Sequence, residues 1–196
     1  MLKSKVKISH VNNLTDARYF AAMGADYLGF CANPGAERFC APAKIKEITD
    51  WVSGPQFVLE FDGWQEEDDI RSMLEMNLCH AVHLGVFATY ENSFGVPSFK
   101  DFIFENLTEE DMFKYDYPVI KSDKKFSTMS NPEINNLIKY LSLKPSYLDI
   151  NLKIDDLDEM CKVLPSFGLI LRGGEEERTG VKSFDELDRI FDMLNE

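Results

Sequence analysis

Eight short apolar or β-branched runs, most of them separated by polar or helix-forming stretches, constrain this chain more than any other feature it has. They are Lys5–Ser9, Asp26–Cys31, Phe57–Phe61, Ala81–Gly85, Phe102–Asn106, Pro118–Ser122, Tyr147–Asn151 and Gly168–Arg172. Each has the length and composition of a strand. The stretches between them read as helices in about seven of the gaps. Asp16–Met23 is dense in helix formers and runs into Gly24, and Lys44–Val52 carries Ile45, Ile48 and Val52 behind Pro42. Asp69–Met76 and Ile154–Leu164 are helical in pattern, and Asn131–Pro132 opens a further helix. Thr108–Asp111 and Ser183–Glu186 have the spacing of a helix-starting capping box. Val86–Lys100 shows no helical stripe.

Strands joined by helix-sized connections run parallel. A closed barrel and an open doubly wound sheet both satisfy that rule. The count of eight favours the barrel. The expectation is therefore an α/β chain forming one small closed (β/α)8 TIM barrel of eight parallel strands, with residues 1–196 as a single domain.

Charge removes several function classes. A net charge of −13 and a pI near 4.7 argue against nucleic acid and against anionic membrane. No apolar run approaches the ~20 residues of a membrane span, and the start, MLKSKVKISHV, lacks the apolar centre of a signal peptide. Cys31, Cys40, Cys79 and Cys161 form no CxxC pair and read as reduced thiols of a cytoplasmic protein.

The loop within LILRGGEEERTGVKSFDEL, Leu169–Leu187, sets Gly173 and Gly174 after an apolar run and before a helix, a common way to cradle a phosphate. Glu175, Glu176 and Glu177 follow at once and oppose an anion.

KISHVNNLTDARYFAAMGADYLGF, followed by the ER of GAERFCAPAKIKEI, resembles the opening of the phosphoribosylanthranilate isomerases of tryptophan biosynthesis. Members of that family typically read KICG, then DA-x-x-A-x-x-GAD-x-LGF, then SPR-x-V-S-P. The closing GGEEERTGVKSFDELDRIF is similar to their SGVE…PGVKD…KI segment. The resemblance runs end to end, and is specific in the first quarter and last seventh. It implies a small (β/α)8 barrel catalysing an Amadori rearrangement of an aminoaldose phosphate to the aminoketose phosphate. An acid opens the sugar ring, a base removes the C2 proton, and no metal or organic cofactor takes part. It also implies a small-molecule sugar phosphate as ligand, and a monomer or homodimer.

Carried onto this chain residue by residue, the resemblance puts the base at Ser9, where the family has cysteine. An alcohol is far less acidic than a thiol and needs a separate base beside it. His10 is adjacent, but strand alternation turns it away unless the strand has already ended. The acid falls at Asp123, one residue beyond a register that gives Ser122. Arg38 matches the arginine that reaches toward the anthranilate carboxylate. Gly173 and Gly174 match the half of the phosphate cradle after strand eight. The other half, a glycine pair after strand seven, reads Ile150–Asn151 here. The GGTG loop expected after strand six reads KKFSTMSN.

His83 stands where the family commonly has glutamine, and it reads either as a proton carrier or as a structural histidine. The rim collects Glu60, Asp62, Glu105, Asp123, Asp149 and Glu175–Glu177, against Arg38, Lys121, Lys124, Lys125, Arg172 and Arg178. A divalent-metal set drawn from Glu60, Asp62, His83 and Asp149 is a weaker reading, because those residues have no diagnostic spacing.

Overall fold

The computed structural model describes residues 4–90, 93–172, 176–178, 181–182 and 184–195, with 176–178 and 181–182 by backbone alone. Eight strands form a closed barrel: β1 (Lys5–Ser9), β2 (Tyr27–Cys31), β3 (Gln56–Phe61), β4 (Ala81–Leu84), β5 (Ser98–Ile103), β6 (Tyr117–Ser122), β7 (Tyr147–Ile150) and β8 (Gly168–Arg172). Every neighbouring pair is parallel, and β8 closes on β1 from Lys5↔Gly168 to Ser9↔Arg172. A two-stranded antiparallel ribbon, β9 (Glu176–Arg178) with β10 (Val181–Lys182), follows the barrel.

Six α-helices pack outside, among the described residues: α1 (Leu14–Ala22), α2 (Pro42–Thr49), α3 (Glu67–Glu75), α4 (Asn131–Leu143), α5 (Ile154–Val163) and α6 (Asp185–Asn195). Local chemistry sets several of their ends. Asn13 caps α1 by accepting from the Asp16 N–H at 2.8 Å, and Gly24, at φ 85°, supplies the left-handed turn after it. Pro132 sits in the first turn of α4 behind a Ser130–Glu133 capping box. Among the described residues no helix is long and apolar enough to cross a membrane.

Two expectations need correction. Strand five lies at Ser98–Ile103, earlier than Phe102–Asn106, whose last three residues form a 3-10 turn. The strand hid from a hydrophobicity reading because it carries a buried lysine and a buried aspartate. Lys100 faces outward, and its ammonium donates to the carbonyls of Gly85 (2.6 Å), Val86 (3.2 Å) and Asp101 (3.2 Å). Helices also fill five of the seven gaps rather than about seven. Among its described residues the β4–β5 connection has none. The Thr108–Asp111 capping pair forms as expected, at 2.7 Å between Oγ1 and Oδ2, but starts only the 3-10 turn Asp111–Phe113. Ser183 lies outside the described residues.

Strand alternation divides the core into two compartments. Outward residues such as Val6, Leu28, Leu59, Val82, Ile120 and Leu148 pack under the helices. Inward residues Tyr27, Val58, Ala81, Phe99, Val119, Tyr147 and Ile170 fill the lower barrel as an apolar floor. Gly168 makes room for the Tyr147 ring, which lies 2.4 Å from where a Cβ would stand. This floor supports a polar layer one pleat higher.

Candidate active site at the mouth of the barrel

One pleat above the floor, seven of the eight strands present a charged or titratable side chain to the barrel interior. They are Lys7, Glu60, His83, Asp101, Lys121, Asp149 and Arg172, each two residues beyond its floor neighbour in the inward parity or bonded to one that is. Strand β2 contributes Gly29, and an ideal Cβ there would stand 2.2 Å from Glu60 Oε1. The Glu60 carboxylate thus fills the space that Gly29 leaves.

Signs alternate around this belt. The Lys7 ammonium pairs with Glu60 Oε1, both side chains being fully buried. His83 Nε2 lies 2.8 Å from Asp101 Oδ1, and its Nδ1 lies 3.7 Å from Glu60 Oε1, beyond hydrogen-bond reach. Lys121 Nζ lies 3.2 Å from Asp101 Oδ2 and 2.9 Å from Asp149 Oδ2. Arg172 closes the run with a two-pronged bond to Asp149, 2.7 Å from Nη1 to Oδ1 and 2.7 Å from Nη2 to Oδ2. Burying so many charges is tolerable only with each one paired, because an isolated ion in this medium carries a desolvation cost of several kcal/mol.

Protonation follows from the pairing. Burial alone would raise the Glu60 pKa, but the Lys7 charge, helped by His83 and His10, holds it well below the carboxylate range. Burial and the Lys7 charge push His83 down, and Asp101 with Glu60 pulls it further up, so the imidazolium is favoured. Asp149 is brought down to about 2, burial being outweighed by Arg172 and then Lys121.

Ser9 is buried on the inward face at the end of β1. Its Oγ accepts a hydrogen bond from Lys7 Nζ at 2.8 Å. Lys7 is itself paired with Glu60. Ser9 is therefore a hydrogen-bonded wall group whose side-chain partner is a cation engaged elsewhere.

His10 does not face away. Strand β1 has ended, and His10 takes a left-handed backbone at φ 60°, uncommon outside glycine. Its N–H donates to Glu60 Oε2 at 2.8 Å, and its ring Nε2 stands 2.5 Å from Asp62 Oδ2, past the end of β3. The imidazole is 18% exposed, at the surface of the mouth.

On the far side, a cleft of about 710 Å³ is lined by residues that include Glu105, Lys121, Asp123, Lys124, Asp149 and Arg172. Asp123 is exposed, one residue past β6, and shares the inward parity of Val119 and Lys121. Ser122 shares the outward parity of Ile120, and its Oγ accepts from the Lys124 N–H at 3.3 Å. Both Ser122 and Asp123 line the cleft. Arg38 is half-buried in the β2–α2 connection, with no ion-pair or hydrogen-bond partner among the described residues. Asn33, in the same connection, is buried with its Oδ1 unsatisfied. Gly173 and Gly174 lie outside the described residues. Among the described residues no three His, Cys, Asp or Glu side chains are placed to hold a metal ion.

No protein-family model matches the chain, and no curated protein matches it by sequence. Solved structures do. The phosphoribosylanthranilate isomerase from Thermus thermophilus superposes with a TM-score of 0.78 at 23% identity, over 97% of this chain and 98% of that one. The fold is that of the phosphoribosylanthranilate isomerases. Monomers of the dimeric phosphoribosylanthranilate isomerase from Thermotoga maritima give 0.71 at 21% identity over 96% of each chain. A phosphoribosylanthranilate isomerase in complex with reduced 1-(o-carboxyphenylamino)-1-deoxyribulose 5-phosphate gives 0.71 at 20% identity over 98% of each chain.

Within that fold, Ser9, His83 and Asp123 all face the same end of the barrel, at the C-terminal ends of the strands where such barrels carry their chemistry. Arg38 lies in a connection that leaves the same end. His83 is fixed between two carboxylates and belongs to the belt rather than to the open mouth. The His10–Asp62 pair escaped the sequence reading, because a left-handed residue after a strand leaves no mark in hydrophobic periodicity.

Proposed function

We propose that this chain is a phosphoribosylanthranilate isomerase-like protein, an aldose–ketose isomerase of the Amadori type whose base has moved from position 9 to His10. Its ligand is a phosphorylated aminoaldose bound at the C-terminal mouth. The observation that carries the reading is the geometry of His10: a left-handed backbone pinned by Glu60, and a ring turned onto Asp62 at 2.5 Å. Imidazole ordinarily titrates near neutrality, which suits it to take a proton from carbon where an alcohol cannot.

In this mechanism Asp123 donates a proton to the ring oxygen of the sugar, and the ring opens to an iminium. With Nε2–H donating to Asp62, Nδ1 of His10 carries the lone pair and takes the C2 proton, giving an enolamine that tautomerises to the aminoketose. Asp62 keeps the imidazole oriented and offsets the charge it gains, as a carboxylate behind a histidine does elsewhere. Arg38, with no carboxylate partner among the described residues, is placed to meet a ligand carboxylate. The four free cysteines suit a cytoplasmic setting, and a monomer or homodimer is the assembly proposed.

Loss of substrate fluorescence with purified protein, and complementation of a tryptophan auxotroph lacking the isomerase, test this. The wild type should turn over, and His10→Ala should lower kcat by roughly 10²–10⁴-fold while Ser9→Ala leaves most activity. Folded wild type without turnover, or an undiminished His10→Ala, refutes it. A second reading, a lapsed barrel that binds a sugar phosphate or serves as an interaction module, is favoured by the bidentate hold of Asp149 on Arg172. On that reading Ser9→Cys restores nothing.

A further inference from the structure

We infer that Arg172 and Lys121 form an oxyanion receptor that the protein fills with its own Asp149, so that an incoming phosphate binds by exchange with that carboxylate. This deepens the proposed ligand class and rests on it only for the identity of the natural phosphate ester.

The geometry is that of a bound oxyanion. Arg172 presents two N–H donors in a parallel fork to the two oxygens of Asp149, each at 2.7 Å, and Lys121 reaches Oδ2 at 2.9 Å. A guanidinium fork with an ammonium beside it is the arrangement proteins use for carboxylate and phosphate alike. Asp149 itself is buried, with its side chain 7% exposed, whereas Arg172 is 40% and Lys121 28% exposed toward the 710 Å³ cleft. The cations are thus reachable from solvent, and the anion they hold is internal. An oxyanion entering the cleft meets donors of suitable type that are already engaged.

Position 149 is then the specificity control of the cleft. With Asp149 in place, a phosphate gains the fork only by displacing a carboxylate whose own alternative is burial beside Asp101, a like charge that already shares Lys121. With an uncharged residue there, the fork is vacant and the repulsion is gone. The asparagine is nearly isosteric, and the two cations it leaves are partly solvated, so the barrel has no buried uncompensated charge to absorb.

Titrating wild type and Asp149→Asn with inorganic phosphate by calorimetry at fixed ionic strength tests the inference without any turnover. Failure of the isomerase reading therefore leaves it standing, and the converse also holds. Freeing two charge-assisted hydrogen bonds should tighten phosphate binding by about tenfold or more. Glu105→Gln, which removes an exposed carboxylate from the same cleft and frees neither cation, should change it by less than about twofold. Adding Arg172→Met to Asp149→Asn should abolish the gain. Asp149→Ser supplies the same reading should the asparagine protein misfold. Equal affinity in wild type and Asp149→Asn overturns the inference, as does an equal gain from Glu105→Gln or a gain that survives loss of Arg172.

Discussion

Replacing Gly29 by alanine should cost far more than a buried methyl group ordinarily does. The added Cβ would lie 2.2 Å from Glu60 Oε1 and 2.4 Å from its carboxyl carbon, distances no real contact sustains. A flexible carboxylate would swing aside cheaply, but this one is held on both oxygens. Oε1 accepts from the Lys7 ammonium, and Oε2 accepts from the His10 N–H at 2.8 Å. Moving it separates a fully buried ion pair, for which about 3–5 kcal/mol is the usual loss. The orphaned His10 N–H adds roughly 1 kcal/mol. Against a total stability of about 5–15 kcal/mol, this is a large fraction.

Urea titration at neutral pH measures the effect directly, with an unchanged m-value marking a change in stability rather than in the denatured state. The melting temperature should fall by roughly 8 °C or more for a chain of this length. Glu60→Gln, which keeps the shape but leaves Lys7 unpaired, should lose a similar amount. Lys7→Met combined with Glu60→Leu should lose much less, because neither charge is then stranded. A Gly29→Ala loss below about 1 kcal/mol would show that Glu60 moves freely, and the account of a rigid charged belt would be wrong.

Other outcomes follow from the same belt. The folded pKa of His83 is raised, so its contribution is complete below the ordinary histidine range near 6.5 and is lost as pH climbs through the folded value; urea midpoints of His83→Gln should lack that alkaline decline. Asp149 is depressed to about 2 from 3.8, so its contribution is present above 3.8 and vanishes as pH falls toward 2. That limb is worth on the order of 2 kcal/mol, and acid denaturation of Asp149→Asn should show a correspondingly shallower one.

How far the sequence was legible differs between fold and site. Barrel closure could be read from eight strand-length runs, since an outward pair such as Val6 and Ile8 or Leu169 and Leu171 is buried and keeps most strands apolar overall. Strand five was misplaced because Lys100 and Asp101 break that rule, one held by carbonyls and the other by the belt. The belt itself left a trace that could have been used. VKI, LEF, VHL and LDI each set one charged or titratable residue between apolar neighbours in a predicted strand, and IKS and LRG set one after an apolar residue. A lone charge in these runs falls in the inward parity, Lys100 of β5 being the outward exception held by carbonyls, and the alternation of sign from strand to strand foretells pairing. His10 could not be read this way, because its orientation comes from one backbone angle held by a side chain 50 residues away.

The charge arrangement also explains why the resemblance in fold is closer than the resemblance in chemistry. A doubly anionic sugar ester calls for cations that are unmatched until it arrives. Here Lys7 belongs to Glu60, Lys121 to Asp101 and Asp149, and Arg172 to Asp149, while Lys124 is paired with Glu133. Arg38 and Lys125 are the exceptions among the described mouth cations, since neither has a carboxylate partner within the described residues. Each anionic end of a ligand therefore meets a different situation. A carboxylate can be met at Arg38 without breaking anything, whereas a phosphate near β7 and β8 must exchange with Asp149. On the exchange proposed above, ligand discrimination in this barrel is set at the second of these contacts, by how easily one buried carboxylate gives up one guanidinium.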